Sequence, residues 1–123
     1  MNFTAFSAKI GELCPSGARL GVRPIKPFEV LRVDSDKVRY RRGKSSFAVS
    51  KKDLFDAATN FSGRRMSSAD LRLFRPSVFD PRARPAGHSC HVSVLFTLLL
   101  LSGMAHGLEG RGVVGAPYSV AVK

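Results

Sequence analysis

The chain has 123 residues, 44% hydrophobic and 24% charged, with nine Phe, two Tyr and no Trp. That suffices for one domain burying about two-thirds of its unfolded surface, and it argues against wholesale disorder. Twenty Lys and Arg against nine Asp and Glu leave a formal charge of +11, a field that favours nucleic acid, an acidic protein surface or anionic lipid as partner.

The first residues lack a basic stretch followed by an apolar one, so no secretory signal is expected. Residues 3–13 suit a short amphipathic helix that ends before Cys14-Pro15-Ser16-Gly17. A lead-in bearing Pro and Arg, residues 17–27, reaches three short runs of β-branched and aromatic residues at 28–33, 37–41 and 46–49. Eleven basic residues stand against Glu29, Asp34 and Asp36 between Arg19 and Lys52, which concentrates most of the excess charge there.

The registers of these runs can be tested against one another. A two-residue loop at Ser35-Asp36, or a four-residue loop from Asp34 to Lys37, sets Val33 opposite Val38, Arg32 opposite Arg39 and Leu31 opposite Tyr40. Gly43-Lys44 suits a type II′ turn, which sets Tyr40 opposite Phe47 and Val38 opposite Val49. Alternation then gathers Leu31, Val33, Val38, Tyr40, Phe47 and Val49 on one apolar face. Arg32, Lys37, Arg39 and Arg41 share the other face with the small Ser46 and Ala48.

A helix follows, with Ser50 as N-cap, Asp53 completing a capping box, and Val49 and Leu54 forming a hydrophobic staple. Leu54, Ala57, Ala58 and Phe61 make its buried stripe. Ser67 and Asp70 open a second helix reaching about Phe74. Residues 75–87, with Pro76, Pro81 and Pro85, read as an extended connector. Ser89 caps a third helix that Gly103 terminates. Its polar arc is only Ser89, Ser93 and Thr97, so it reads as a mostly buried helix. Its apolar run, residues 92–101, is too short to cross a bilayer. A Gly-rich loop and a strand at 118–122 complete the chain.

The expected fold is therefore α+β: a three-stranded antiparallel sheet backed by helices, with a buried helix and a C-terminal strand. Residues 1–123 read as one domain, with sub-modules 1–62 (a helix, then β-β-β-α) and 63–123. Cys14 and Cys90 make no disulfide framework and read as reduced thiols of a cytoplasmic, nucleoid or nuclear protein.

Several motifs fail on context. Gly110, Gly112 and Gly115 match the letters of a dinucleotide fingerprint but precede a strand, and no acidic ribose ligand can follow. Gly43-Lys44-Ser45 lacks the first glycine of a phosphate loop. His88, Cys90 and His91 lack the paired spacing of a zinc site, with Cys14 and His106 only remote candidates. No pair of carboxylates has nuclease spacing. Neither an enzymatic activity nor a cofactor is expected.

The chemistry that remains is anion binding. Arg32 opposite Arg39 is a like-charge cross-strand pair that an anion would relieve. Arg32, Lys37, Arg39 and Arg41 are the main candidate contacts, with Arg42, Lys44, Lys51 and Lys52 along a rim. Lys51 and Lys52 sit at the positive end of a helix, where backbone N–H groups favour phosphate.

The β-β-β-α order resembles the sheet-face DNA-binding domains of some integrases and plant transcription factors, which implies a sheet laid in the major groove. The α-β-β-β-α order over residues 3–61 is similar to double-stranded RNA-binding domains, whose basic pair Lys51-Lys52 would match. The C-terminal half, a helix followed by a glycine-rich tip with Arg111 and a strand, resembles a winged-helix arrangement. That implies phosphate contact by Arg111. The leading expectation is non-catalytic nucleic-acid binding, DNA ahead of RNA. The competing one is a small inhibitor or adaptor docking on an acidic protein. A homodimer through the apolar helix is a further partner to test, and no membrane association is expected.

Overall fold

The computed structural model describes residues 1–85 and 87–123. Helix α1 spans Phe3–Leu13. The Asn2 side chain accepts from the Ala5 N–H at 2.8 Å and so satisfies one of the free donors of the first turn. Phe6 and Ile10, one turn apart, point into the core.

Four antiparallel strands follow in the order β1-β2-β3-β4: Arg19–Leu20, Phe28–Val33, Lys37–Arg42 and Ser45–Ser50. The sheet thus has one strand more than the sequence suggests, because the lead-in folds back and pairs Arg19 with Glu29 and Leu20 with Phe28. The β2–β3 turn is built on Asp34, whose carboxylate accepts from the Asp36 and Lys37 N–H groups at 2.9 and 2.8 Å. Gly43, at φ +63°, supplies the first central residue of the β3–β4 turn, and Lys44 keeps a negative φ, the type II′ combination.

The pairs Val33–Val38, Arg32–Arg39, Tyr40–Phe47 and Val38–Val49 all occur as expected. Leu31 does not face Tyr40. A bulge between Val30 and Arg32 absorbs Leu31, so Val30 stands opposite Tyr40. Phe28 and Val30 are consequently the fully buried residues of β2, while Leu31 is half-buried.

Helix α2, Lys51–Asn60, starts where the Ser50 hydroxyl accepts from the Lys52 and Asp53 N–H groups. Asp53 does not complete a box, because its carboxylate accepts from Arg75 at 2.7 Å. Leu54, Ala57 and Phe61 are buried, and Ala58 packs at the edge of the core. Strand β5 is Arg65–Ser67 and α3 is Ser68–Phe74, opened by the expected reciprocal Ser67–Asp70 box. The connector is not wholly extended: α4, Pro76–Phe79, begins on a proline whose missing N–H costs nothing there, and it buries Phe79. Ala86 of that connector lies outside the described residues.

Helix α5, Cys90–Ser102, ends at Gly103 with φ +77°. Ser89 makes no capping bond. Its backbone is already helical, and a side-chain cap needs an extended one. From His91 to Leu99 every residue of α5 except Ser93 is buried. Strands β6 (Ala105–Glu109) and β7 (Ser119–Val122) then form a second sheet of order β5-β7-β6. Gly107, at φ +66°, lies within a register irregularity between His106 and Glu109. The architecture is α+β with two antiparallel sheets, and one cluster of buried side chains runs through both. No helix among the described residues is long and apolar enough to cross a membrane.

Candidate nucleic-acid interface

The first sheet has a core face and a solvent face. Phe28, Val30, Val38, Tyr40 and Val49 fill the core face. On the solvent face, β3 presents Lys37, Arg39 and Arg41, all exposed, because outward residues recur with period two. Arg32 of β2 is exposed beside Arg39, and on the other flank Arg39 and Arg41 neighbour Ala48 and Ser46. The small β4 residues leave both guanidinium groups unobstructed on that side.

Two acids share this face. Arg41 donates to Glu29 Oε1 at 2.7 Å, and Arg39 lies 3.7 Å from Asp34. The turn N–H groups of Asp36 and Lys37 hold the Asp34 carboxyl below the ordinary range, with Arg39 and Arg32 adding to the effect. Arg32 and Lys37 make no ion pair among the described residues. Arg19 is also exposed on this face, in register with Glu29. Reading the sequence misses it because a two-residue strand has no alternation to detect.

The expected rim divides. Lys44 is exposed at the β3–β4 turn, and Lys52 is exposed at the start of α2, where it pairs with Asp56 and lies 5.6 Å from the Phe55 ring centre. Arg42 is corrected to the opposite side of the sheet. Alternation turns it inward, and its guanidinium donates to Ser93 Oγ of α5 at 3.3 Å. Lys51 is corrected to the interior. It is 4% exposed, and its ammonium donates to Ser7 Oγ of α1 at 2.9 Å. Arg111 is exposed in the β6–β7 connection, outside the first sheet.

That connection follows α5 and leads into β7, the order expected of a winged-helix-like half. The preceding helix is nevertheless inside the molecule, so its side chains cannot reach a groove. Gly110, Gly112 and Gly115 lie between two strands, with no helix after them.

His88, His91 and Cys14 are accounted for by packing, whereas His106 is exposed. His91 Nδ1 and the Tyr40 hydroxyl share a 2.7 Å hydrogen bond, and burial pushes the Tyr40 phenol up. His88 packs edge-on to Phe47 at 4.7 Å between ring centres. Burial raises the Cys14 thiol to about 11, with Lys51 opposing, which makes it a poor nucleophile at neutral pH. Among the described residues, no group of three or more His, Cys, Asp or Glu is placed to hold a metal ion.

The second sheet is a useful internal control. Its outward cation, Arg65, donates to the Gly107 carbonyl and Ser119 Oγ at 3.0 and 2.9 Å and lies 3.4 Å from Glu109. No protein-family model, curated protein or solved structure matches the chain.

Proposed function

We propose that the protein binds nucleic acid without catalysis, DNA ahead of RNA, through the solvent face of the first sheet. The observation that carries this reading is the column Lys37, Arg39 and Arg41, joined by Arg32 and bordered by Ser46 and Ala48. Successive outward residues on one strand stand about 6.8 Å apart, so the column offers regularly spaced cations to a polyanion. The exposed pairs Arg39–Asp34 and Arg41–Glu29 do not oppose the reading. Such exposed pairs are weak, and a phosphate can replace the carboxylate. Until then they hold the guanidinium groups over the sheet.

The test is fluorescence anisotropy with duplex DNA, single-stranded DNA and duplex RNA across a salt series. If Arg32, Lys37, Arg39 and Arg41 each neutralise a duplex phosphate, log K falls with log salt at a slope of about −3.6. Arg39→Glu/Arg41→Glu weakens that binding about 100-fold while the circular dichroism spectrum stays native. Absence of binding to all three polymers at low salt overturns the proposal and directs attention to an acidic protein as partner.

A further inference from the structure

On the reverse side of the first sheet, Arg42 opens onto a cleft of about 500 Å³. Four separate parts of the chain meet there: the end of β3, the opening turn of α3, the opening turn of α5 and the β6–β7 connection. Its polar lining is Arg42, Arg72, Ser68, Ser89 and Ser93, and no carboxylate lines it. Neither Arg42 nor Arg72 makes a salt bridge among the described residues, whereas Arg75 and Arg82 each contact an aspartate. Ser93 Oγ accepts from Arg42, which leaves its own proton available to a further acceptor.

The remaining wall is apolar: Val92, Val113, Val114, Pro117 and Tyr118. Its shape depends on glycine. A Cβ on Gly112, at φ +72°, would stand 2.5 Å from the Tyr118 ring, so only glycine lets the connection fold over that tyrosine. The Arg111 and Gly112 N–H groups both donate to the Ala116 carbonyl, at 2.8 and 3.0 Å, which braces the connection from within.

We propose that this cleft binds a nucleotide 5′-phosphate. Arg42, Arg72 and the serine hydroxyls hold the phosphate, and the base packs against Tyr118 and the neighbouring valines. Guanidinium groups and hydroxyls are donors suited to phosphate oxygens. The volume lies within the range of small-ligand sites and leaves room beyond a lone phosphate. The ligand is either a free nucleotide or the 5′-terminal nucleotide of a strand. Only the second source rests on the nucleic-acid reading above.

The test compares a 3′-labelled single-stranded 12-mer carrying a 5′-phosphate with the same strand ending in 5′-hydroxyl, and measures adenosine monophosphate against adenosine by calorimetry. The proteins are wild type, Arg72→Gln, Arg42→Gln and Arg39→Glu/Arg41→Glu. Arg72 is the cleaner position because its side chain makes no hydrogen bond or salt bridge among the described residues and acts on Asp80 only at longer range, and a thermal melt confirms each variant is folded. A strand terminus as ligand gives about a tenfold preference for the 5′-phosphate, abolished in Arg72→Gln and retained in the sheet double variant. A free nucleotide as ligand gives adenosine monophosphate binding that Arg72→Gln removes, with no end preference in the 12-mer. No preference for phosphate in either pair overturns the proposal, as does a preference that survives both Arg72→Gln and Arg42→Gln. Adenosine monophosphate binding that survives in the sheet double variant and is lost in Arg72→Gln supports a cleft separate from the sheet face.

Discussion

The two sheets obey the same rule and reach different ends. Each buries one face against the shared core and turns the other to water. On the second sheet the outward cation is engaged locally: Arg65 reaches the Gly107 carbonyl, Ser119 and Glu109. On the first sheet Glu29 and Asp34 pair closely with Arg41 and Arg39, Arg32 acts on Asp34 only at longer range, and Lys37 makes no salt bridge among the described residues. The proposed interface therefore rests on the excess of cations over acids on the first sheet's outer face, and exposure alone would not single it out.

The largest expected effect breaks this comparison directly. Arg39→Glu/Arg41→Glu should weaken duplex binding by about 100-fold, since it places two acids opposite phosphate and beside Glu29 and Asp34. Arg65→Glu should change affinity by no more than about threefold at physiological salt, because its charge lies off the binding face and is screened. Equal losses from the two variants would show that net charge, and not the β3 column, governs binding.

Stability changes sharpen the contrast between the two faces of the first sheet. Tyr40→Phe removes the buried hydrogen bond to His91 and should lower stability by about 1–2 kcal/mol in urea unfolding, with binding unchanged. Lys51→Met should raise stability by about 1 kcal/mol, because it removes a buried cation whose described partner is a neutral hydroxyl. Ser7 is half-buried and can turn to water. Polynucleotide affinity should stay at wild-type level. A large loss in Lys51→Met would return Lys51 to the interface.

The smallest effect concerns pH. The Lys52 hydrogen bond, then Arg75, holds the Asp56 carboxyl below its ordinary range, with burial opposing. A depressed folded-state pKa means that its stabilisation is fully present above the unfolded value of about 3.9 and fades as pH falls through the lower, folded one. Asp56→Asn should therefore flatten the decline of the urea midpoint below about pH 4 and leave its slope between pH 5 and 7 unaltered.

Much of the first sheet was legible in the sequence because its information is local. Asp34 and Gly43 specify their turns, and two tight turns propagate register along β3 and β4. The bulge was not legible: Val30 and Leu31 are adjacent and both apolar, so pattern alone cannot say which one turns inward. Burial of Lys51 was equally hidden, since the alternation that sorts strand residues stops at Ser50, where the helix begins. Of the second sheet only β7 was expected, for another reason. Gly107 interrupts the pattern of β6, and β5 finds its partner β7 more than fifty residues along the chain. Of the interface, the β3 column and Arg32 follow from alternation. The cleft does not, because its four contributing segments meet only through tertiary packing.

Helix α5 carries a consequence for how the chain is made. Its surface is apolar on nearly every side, and part of its cover comes from β3 and β4, through Tyr40, Phe47 and His91. A ribosome releases those strands before it releases α5, so the helix emerges with that shelter already available. A fragment of residues 63–123 made alone has lost it and should sediment as aggregate, whereas the whole chain remains in the supernatant.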